Sequence, residues 1–283
     1  MKEVVLTRVP ISFEVYPPRS KESEPALYEA IDRLCELGPR FISVTFGAGG
    51  SQTKDSLKVL SYIKRKEISP LAHLTCVGTN RLSAKALVSE FLEAGITDFL
   101  ALRGDLPAGS HELAPDSLRT AAELVELIRD VRSQPGETAV AAFPNGHPES
   151  GAERSDLAAL LAKQKAGADY AITQLFFYAK DYLDFVALAR EAGVKIPILP
   201  GIMPITSVSR LDRVLELTGE SRPTDFAAAL EQAGSPADRV EVGLEWASNL
   251  VEELVDANAP GIHLYAFNEH ERVTEVLRRA SVV

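Results

Sequence analysis

An alternation of short apolar runs with amphipathic segments recurs along the chain and restricts its fold more than any other feature. Runs rich in β-branched or aromatic residues predict eight strands, at 11–16, 41–46, 71–77, 98–104, 138–144, 170–177, 197–203 and 261–268. The segments between them carry apolar residues at three- and four-residue spacing and mostly end in glycine, which is typical of helices with a glycine cap. Strands and helices in this order predict a parallel (β/α)8 barrel of the TIM type.

The segment between the seventh and eighth strands is longer than the other connections. Its pattern predicts extra helices there, in TSVSRLDRVLELTG, PTDFAAALEQAG and ADRVEVGLEWASNLVEELVDAN. A doubly wound open sheet is the alternative fold, but the nearest approach to G-x-G-x-x-G, at 47–52, has Gln52 in place of the third glycine. Barrels of about 250 residues occur as one unit. With no linker evident, we expect a single catalytic barrel domain over 1–283.

Composition excludes several classes of partner. The 30 basic and 40 acidic side chains give a formal net charge of -10, which argues against nucleic acid. Cys35 and Cys76 lack C-x-x-C spacing, so neither a disulfide framework nor a metal site is expected. The longest stretch without a charged residue, 196–209, is too short to span a membrane. The N-terminal residues do not resemble a targeting signal. We expect a cytoplasmic protein without membrane contact.

Strand alternation selects the residues that carry chemistry, because alternate residues of a barrel strand face inward and function gathers at the C-terminal strand ends. In 11–16 the apolar residues face the helices and leave Glu14 facing the interior, where partial desolvation suits a general acid. Further polar or titratable residues fall on, at or just after the ends of other predicted strands: Thr45, His73, Thr75, Arg103, Asp105, Gln174 and, in the loop after Phe143, His147.

Each of these residues also has a structural explanation. Glu14 and Arg103 could form a buried ion pair, and a single His73 is more often a hydrogen-bonded core residue. Asp105 before Leu-Pro favours a turn. Asp156 and Lys163, seven apart on a predicted helix, would by default lie on a solvated face. The collection favours a site, since so many inward polar groups would be costly in a packed core.

Seven runs together resemble bacterial methylenetetrahydrofolate reductases: SFEVYPPR, SVTFGAGGS, AHLTCVG, ALRGDLP, FPNGHPES, KAGADYAITQLFF and PILPGIMP. The resemblance covers nearly the whole chain and is strongest over 11–204. It implies a flavoenzyme that takes a hydride from NADH or NADPH onto FAD and passes it to 5,10-methylenetetrahydrofolate, giving 5-methyltetrahydrofolate by a ping-pong relay. The family also implies a role in one-carbon metabolism and methionine biosynthesis, and association into a homo-oligomer.

The resemblance assigns roles residue by residue. Glu14 matches the proton donor, Asp105 the acid beside the flavin that also contacts the pterin, and Gln174 a folate contact. The FAD-contacting positions of the family fall on Thr45, His73, Leu102, Arg103, Gly104, Asp105, Phe143, His147, Asp156 and Lys163. On this basis Asp156 would accept from a ribose and Lys163 would meet a phosphate.

The C-terminal third departs from the family pattern, which often has Gln at 210, Phe at 214 and a Leu-Asn-Arg run where this chain has Phe267-Asn268-Glu269. Either Arg210 meets the folate carboxylate, or Phe267 replaces the aromatic surface lost at Val214, or the electron acceptor differs.

Two other functions stay open. A barrel lyase would use Glu14 as a base but lacks an evident lysine nucleophile or metal ligands; a flavin- or folate-binding protein without activity would explain the departures. No motif in the sequence indicates whether NADH or NADPH is preferred.

Overall fold

The structure, a computed structural model, describes residues 9–18, 20–45, 53–77, 79–104, 116–147 and 155–283. Its strands are β1 (Ile11–Val15), β2 (Phe41–Val44), β3 (Ser69–Thr75), β4 (Asp98–Leu102), β5 (Thr138–Ala142), β6 (Tyr170–Thr173), β7 (Ile198–Leu199), β8 (Gly201–Ile202) and β9 (Ile262–Tyr265). All neighbouring strands pair in parallel, in the order β7-β6-β5-β4-β3-β2-β1-β9-β8. The predicted parallel barrel is confirmed.

The predicted seventh strand, 197–203, is two short strands on either side of Pro200. Its first half pairs with β6 and its second half with β9, so the two ends of the sheet order belong to one extended segment that closes the barrel. Pro200 has no N–H for a ladder, but its carbonyl accepts from the backbone N–H of His263 at 3.0 Å. The proline therefore divides the strand without opening the barrel.

Ten α-helices accompany the strands in the part of the chain described. They are α1 (Glu24–Glu36), α2 (Thr53–Arg65), α3 (Arg81–Glu93), α4 (Ala121–Val131), α5 (Ser155–Ala166), α6 (Ala179–Glu191), α7 (Val208–Thr218), α8 (Thr224–Gln232), α9 (Pro236–Asp256) and α10 (His270–Arg279). Helices α7, α8 and α9 fill the long connection before β9, as predicted. None of the helices within these residues is long and apolar enough to cross a membrane.

Local sequence explains how the helices begin and end. Thr120 caps α4 by accepting from the N–H of Glu123 at 3.2 Å, and the Glu123 carboxylate accepts from the N–H of Thr120 at 3.3 Å. Helix α7 ends at Gly219, whose φ of 71° is the left-handed conformation that a glycine cap supplies. Backbone hydrogen bonds at residues 10 and 40 link the starts of neighbouring strands. For example, the N–H of Arg40 donates to the Ile11 carbonyl at 2.8 Å.

Three apolar clusters hold the barrel. The largest lies between sheet and helices and includes Ile11, Phe13 and Val15, the face that alternation assigned to the helices. A second fills the barrel interior: Phe41, Leu71, Leu100, Ala139, Tyr170, Ile172 and Leu199. A third packs the extra helices α7 and α8 against the segment after β6. Because the interior cluster draws mainly on early strand positions, the polar residues are left to the C-terminal half of the barrel.

Candidate functional site

Glu14 lies in the barrel interior as alternation predicted, and only 8 % of it is exposed. Its Oε2 is 3.5 Å from Nε2 of His73 on β3 and 3.8 Å from Nε2 of His263 on β9. Both distances are longer than a hydrogen bond, as catalytic contacts often are without substrate. The basic groups that the structure places beside this carboxyl are therefore two imidazoles from different strands.

His73 is almost fully buried, and its Nε2 has no hydrogen-bond partner among the residues that the structure describes. Burial lowers the pKa of His73; the charge of Glu14 opposes this shift, and His263 adds to it. Desolvation is the largest cause, so His73 is a neutral ring at physiological pH. This nitrogen faces the Glu14 carboxyl inside the barrel.

Lys163 and Asp156 do not lie on a solvated face. Asp156 is 8 % exposed, and Nζ of Lys163 donates to the carbonyl oxygen of Ala141 on β5 at 2.8 Å. Burial lowers the pKa of Lys163 to about 8; Asp156 raises it and the charge of Arg103 lowers it further. The structure thus brings Arg103, Asp156 and Lys163 together beside the ends of β4 and β5. These two cations and one carboxylate lie at most 60 residues apart in the sequence.

Around this cation cluster the chain offers flat and closely packed surfaces. The ring of Phe143 lies 6.0 Å from Nζ of Lys163 and meets His147 edge to face at 4.7 Å. Gly104 has φ of 81°, and a Cβ there would stand 3.1 Å from Cβ of Thr75. Only glycine allows this close approach of the segment after β4 to β3.

Three further predicted residues, Thr45, Leu102 and Gln174, lie at or just after the ends of their strands. Thr45 follows β2 and its carbonyl accepts from the hydroxyl of Ser56 at 3.2 Å. Leu102, the last residue of β4, packs on the interior cluster. Gln174 follows β6, and its Oε1 accepts from the N–H of Leu175 at 2.9 Å. Asp105, predicted as a catalytic and flavin-contacting acid, lies outside the described residues.

A cavity of about 570 Å³ opens beside His147, between the segment after β5 and the α7–α8 connection. Its wall carries Asn145, whose Nδ2 donates to Glu220 at 2.8 Å. Burial raises the pKa of Glu220, as it does that of Asp181 in the same wall. The cavity is polar and adjoins the predicted FAD-contacting residue His147.

On the opposite side of the mouth, the ring of Phe267 stacks on Tyr16 with centroids 5.1 Å apart and planes 12° apart. Asn268 fixes the turn by accepting from the N–H of Tyr16 at 2.9 Å and donating to its carbonyl at 3.2 Å. Phe267 and Asn268 both have positive φ, 48° and 62°. Two successive non-glycine residues in this conformation store strain, which is typical of functional sites.

Arg210 extends this aromatic wall. Its guanidinium lies 5.6 Å from the centroid of Phe267 and forms a fork with Glu269, at 2.9 and 3.2 Å. Glu269 also contacts Arg272 at 2.6 Å. The sequence could not show that the two departures from the family pattern, Arg210 and Glu269, neutralise each other. Val214 is buried in the third apolar cluster and offers no surface to a substrate.

His263 and Tyr265 were not singled out from the sequence, although strand alternation over 261–268 places both on the same face as Phe267. His263 is fully buried, and the hydroxyl of Tyr265 donates to the Thr173 carbonyl at 2.6 Å. The signal was therefore present in the sequence, in the same alternation that identified Glu14. Within the described residues, no cluster of three or more His, Cys, Asp or Glu side chains could hold a metal ion.

Known proteins resemble this chain over nearly its whole length. A family model described as methylenetetrahydrofolate reductase matches residues 3–281. The chain is 35% identical over 266 residues to 5,10-methylenetetrahydrofolate reductase of Salmonella typhimurium, covering 93% of this chain and 88% of that protein. It is 34% identical to the enzyme of the same name from Escherichia coli, with 93% and 88% coverage.

Among solved structures, an uncharacterized protein from Clostridium thermocellum that binds two copies of 5-methyl-5,6,7,8-tetrahydrofolic acid aligns with a TM-score of 0.64. The alignment covers 97% of this chain and 94% of that one, at 15% identity. At this identity the likeness concerns the fold, and it supports the closed barrel.

Proposed function

The chain belongs to the methylenetetrahydrofolate reductase family and is an oxidoreductase that reduces 5,10-methylenetetrahydrofolate; we propose that it does so with FAD as carrier, NADH or NADPH as donor, and Glu14 as the general acid. The family assignment argues against the two alternative functions, a barrel lyase and a binding protein without activity. The observation that carries the mechanism is the buried carboxyl of Glu14 at the strand ends, held between two imidazoles.

The residues around α5 suit an anionic dinucleotide cofactor. Lys163 is a desolvated cation whose pKa burial lowers to about 8, so a phosphate would gain more from it than from a solvated lysine. Asp156, on the same face of α5, would accept from ribose hydroxyls. Thr45, His73, Leu102, Arg103, Gly104, Phe143 and His147, with Asp105 outside the described residues, complete the proposed FAD contacts.

When bound, the flavin would supply the two-electron carrier between the reduced nicotinamide and the folate. The chain's own residues would then bind, orient and protonate. Asp105 is proposed to act with Glu14 near the reacting rings, and Gln174 to contact the folate. The stacked pair of Tyr16 and Phe267 forms a wall for the folate aromatic ring, and Arg210 lies at the outer end of that wall.

Glu14 has a specific task in this reaction. Opening the imidazolidine ring of the substrate leaves a nitrogen that must receive a proton, whereas hydride transfer from the nicotinamide requires no protein acid. A carboxyl that is 8 % exposed and faces the barrel interior can act on a bound substrate with little competition from water. The two half-reactions should therefore depend on Glu14 to different extents.

The test is Glu14→Gln, which keeps the shape of the side chain and cannot donate that proton. In stopped-flow experiments, reduction of the flavin by NADH should stay near normal, while reoxidation by methylenetetrahydrofolate should slow by at least ~100-fold. Glu216→Gln, on the exposed face of α7, is the matched control and should change neither rate. Equal slowing of both half-reactions would make Glu14 structural, and normal reoxidation would remove it from the mechanism. A protein that binds no FAD would contradict the cofactor proposal.

Three statements about the chain stay predictions: that it is cytoplasmic, that it forms a homo-oligomer and that it folds as a single domain. No residue described here distinguishes NADH from NADPH.

A further inference from the structure

Two buried imidazole nitrogens point at one carboxyl oxygen without a hydrogen bond. Nε2 of His73 and Nε2 of His263 lie 3.5 and 3.8 Å from Oε2 of Glu14, and neither nitrogen has a hydrogen-bond partner within the described part of the chain. Leaving a buried polar atom unpaired is costly, so each such atom calls for a physical explanation. His73 belongs to the proposed FAD contacts; His263 is fully buried and has no assigned role.

The position of the His263 ring is fixed on every side. Its plane stacks on Phe41 at 5.7 Å, and Tyr265 packs against it edge to face at 5.3 Å. Its Nδ1 lies 2.9 Å from the hydroxyl of Ser12, on the neighbouring strand β1. That hydroxyl in turn donates to the carbonyl of Ile262 at 3.4 Å. The opposite nitrogen, Nε2, is thereby aimed at Glu14.

The Ser12 hydroxyl can fix the tautomer of His263, because it has one proton and a second acceptor, the Ile262 carbonyl, at 3.4 Å. When the hydroxyl donates to that carbonyl, its oxygen accepts from Nδ1–H of His263, and Nε2 is left with a lone pair. A lone pair repels an ionised carboxylate and accepts a hydrogen bond from a protonated one.

We propose that His263 is a positioning residue for the acid: Ser12 holds it in the Nδ1–H tautomer, and its bare Nε2 accepts from the protonated carboxyl of Glu14 and keeps that proton in place until the folate takes it. The inference rests on the proposed role of Glu14. It assigns to Ser12 and His263, which are both buried beside Glu14, the task of maintaining the acid between turnovers.

Other titratable groups also face Glu14 and set the background for its pH dependence. His73 approaches from β3 and is kept neutral because burial lowers its pKa. Tyr265 approaches from β9; burial raises its pKa well above the usual value, and the charges of Glu14 and Tyr16 add to this. From β2, the register partner of Glu14 is Ser43, which does not titrate. Of these groups, His263 has a nitrogen aimed at Glu14 and a tautomer fixed from behind by a hydroxyl.

Nitrogen NMR of the purified protein, with 15N-labelled histidine, reads the tautomer directly. The chain has five histidines, and the signals of His263 are those lost in His263→Gln. At neutral pH we expect a protonated Nδ1 and a bare Nε2 for His263. In Ser12→Ala the oxygen that fixes Nδ1 is absent, and a measurable fraction of the ring should carry its proton on Nε2 instead. A protonated Nε2 in the unaltered protein would overturn the proposal.

The second measurement is the pH profile of flavin reoxidation by methylenetetrahydrofolate. Without His263 Nε2 as an acceptor for the proton of Glu14, the carboxylate form of Glu14 is favoured. The fall in rate at high pH should therefore move to lower pH by about one unit in Ser12→Ala and His263→Gln. Ser12→Thr keeps the hydroxyl and should restore the original profile. Ser43→Ala removes a fully buried hydroxyl from the adjacent strand, one that makes no hydrogen bond in the structure, and should leave the profile unchanged.

The outcomes separate this inference from the proposed function. An unmoved profile in Ser12→Ala, with Glu14→Gln still selectively defective, would make His263 a core residue and leave the general acid intact. A shift to higher pH would mean that His263 donates to a carboxylate, which contradicts the proposal. A folate half-reaction that is insensitive to Glu14→Gln would instead contradict the role of Glu14 itself. Because Ser12→Ala deletes a single oxygen, it also serves if His263→Gln does not fold.

Discussion

Two cations at the mouth of the barrel differ in how their charge is compensated. Lys163, on α5, is desolvated and donates to a backbone carbonyl, and burial lowers its pKa to about 8. Arg210, on α7, is about one-third exposed and forms a fork with the carboxylate of Glu269. The first cation is destabilised in the protein alone and would gain from an anionic ligand; the second is already paired.

More binding energy is available at Lys163 than at Arg210. A phosphate meeting Lys163 would restore a charge that the protein disfavours, so the gain should be large. A carboxylate meeting Arg210 must compete with Glu269, a partly exposed partner whose ion pair is worth little by itself. We therefore expect the α5 side to hold its ligand strongly and the α7 side to adjust specificity by small amounts.

The largest effect should follow from removing the charge of Lys163. Lys163→Met keeps the length of the side chain and loses the ammonium, so FAD affinity should fall by roughly 10- to 150-fold, as expected for a hydrogen bond of about 1.5–3 kcal/mol to a charged group. Equilibrium titration of the protein with FAD measures this change. Lys165→Ala, on the exposed face of the same helix, is the control and should bind FAD normally. Unchanged affinity in Lys163→Met would return Lys163 to a structural role.

A smaller and pH-dependent effect should appear in the unaltered protein. The folded pKa of Lys163, about 8, lies below the ordinary lysine value of 10.5, so in the FAD-free protein the ammonium is retained below that pH and lost as the pH rises through it. FAD affinity should be level below neutral pH and should fall above pH 8 by at most about tenfold per unit. Lys163→Arg stays charged and should flatten this dependence between pH 7 and 9. A dependence that persists unchanged in Lys163→Arg would assign it to another group.

The smallest effect should come from the paired cation. Arg210→Ala should raise the KM for methylenetetrahydrofolate by about 2- to 5-fold, the size of a partly exposed ion pair, while flavin reduction by NADH stays normal. Glu269→Gln should act in the opposite direction, because it releases Arg210 for the substrate carboxylate. Steady-state kinetics of both variants, with exposed Arg213→Ala on α7 as the control, decide the point. If neither variant moves the KM, the folate tail is held elsewhere.

Strand alternation predicted the interior of the barrel well where the strands are regular. It placed Glu14 inside and Ile11, Phe13 and Val15 against the helices, as the structure has them. The same alternation places His263 on the face that Tyr265 and Phe267 share. The division of 197–203 at Pro200 was not predicted, since the run looks like one strand and only its two neighbours show that each half pairs separately.

Helix faces were harder to assign. The spacing of Asp156 and Lys163 showed that they share a face of α5, but a 3.6-residue period does not tell which face turns to solvent when the helix carries few large apolar residues. Packing against β5 decided it, through the bond from Lys163 to Ala141.

By itself, the sequence determined the (β/α)8 barrel, the inward direction of Glu14 and, through seven characteristic runs, the reductase family, because periodicity and local motifs are properties of neighbouring residues. The tertiary structure alone decided that Glu269 neutralises Arg210, 59 residues away, and that Ser12 and His263, 251 residues apart, form a hydrogen-bonded pair behind the acid. Such pairs depend on which strands and helices become neighbours when the barrel closes. Their energies come from distance and desolvation, which no local pattern records.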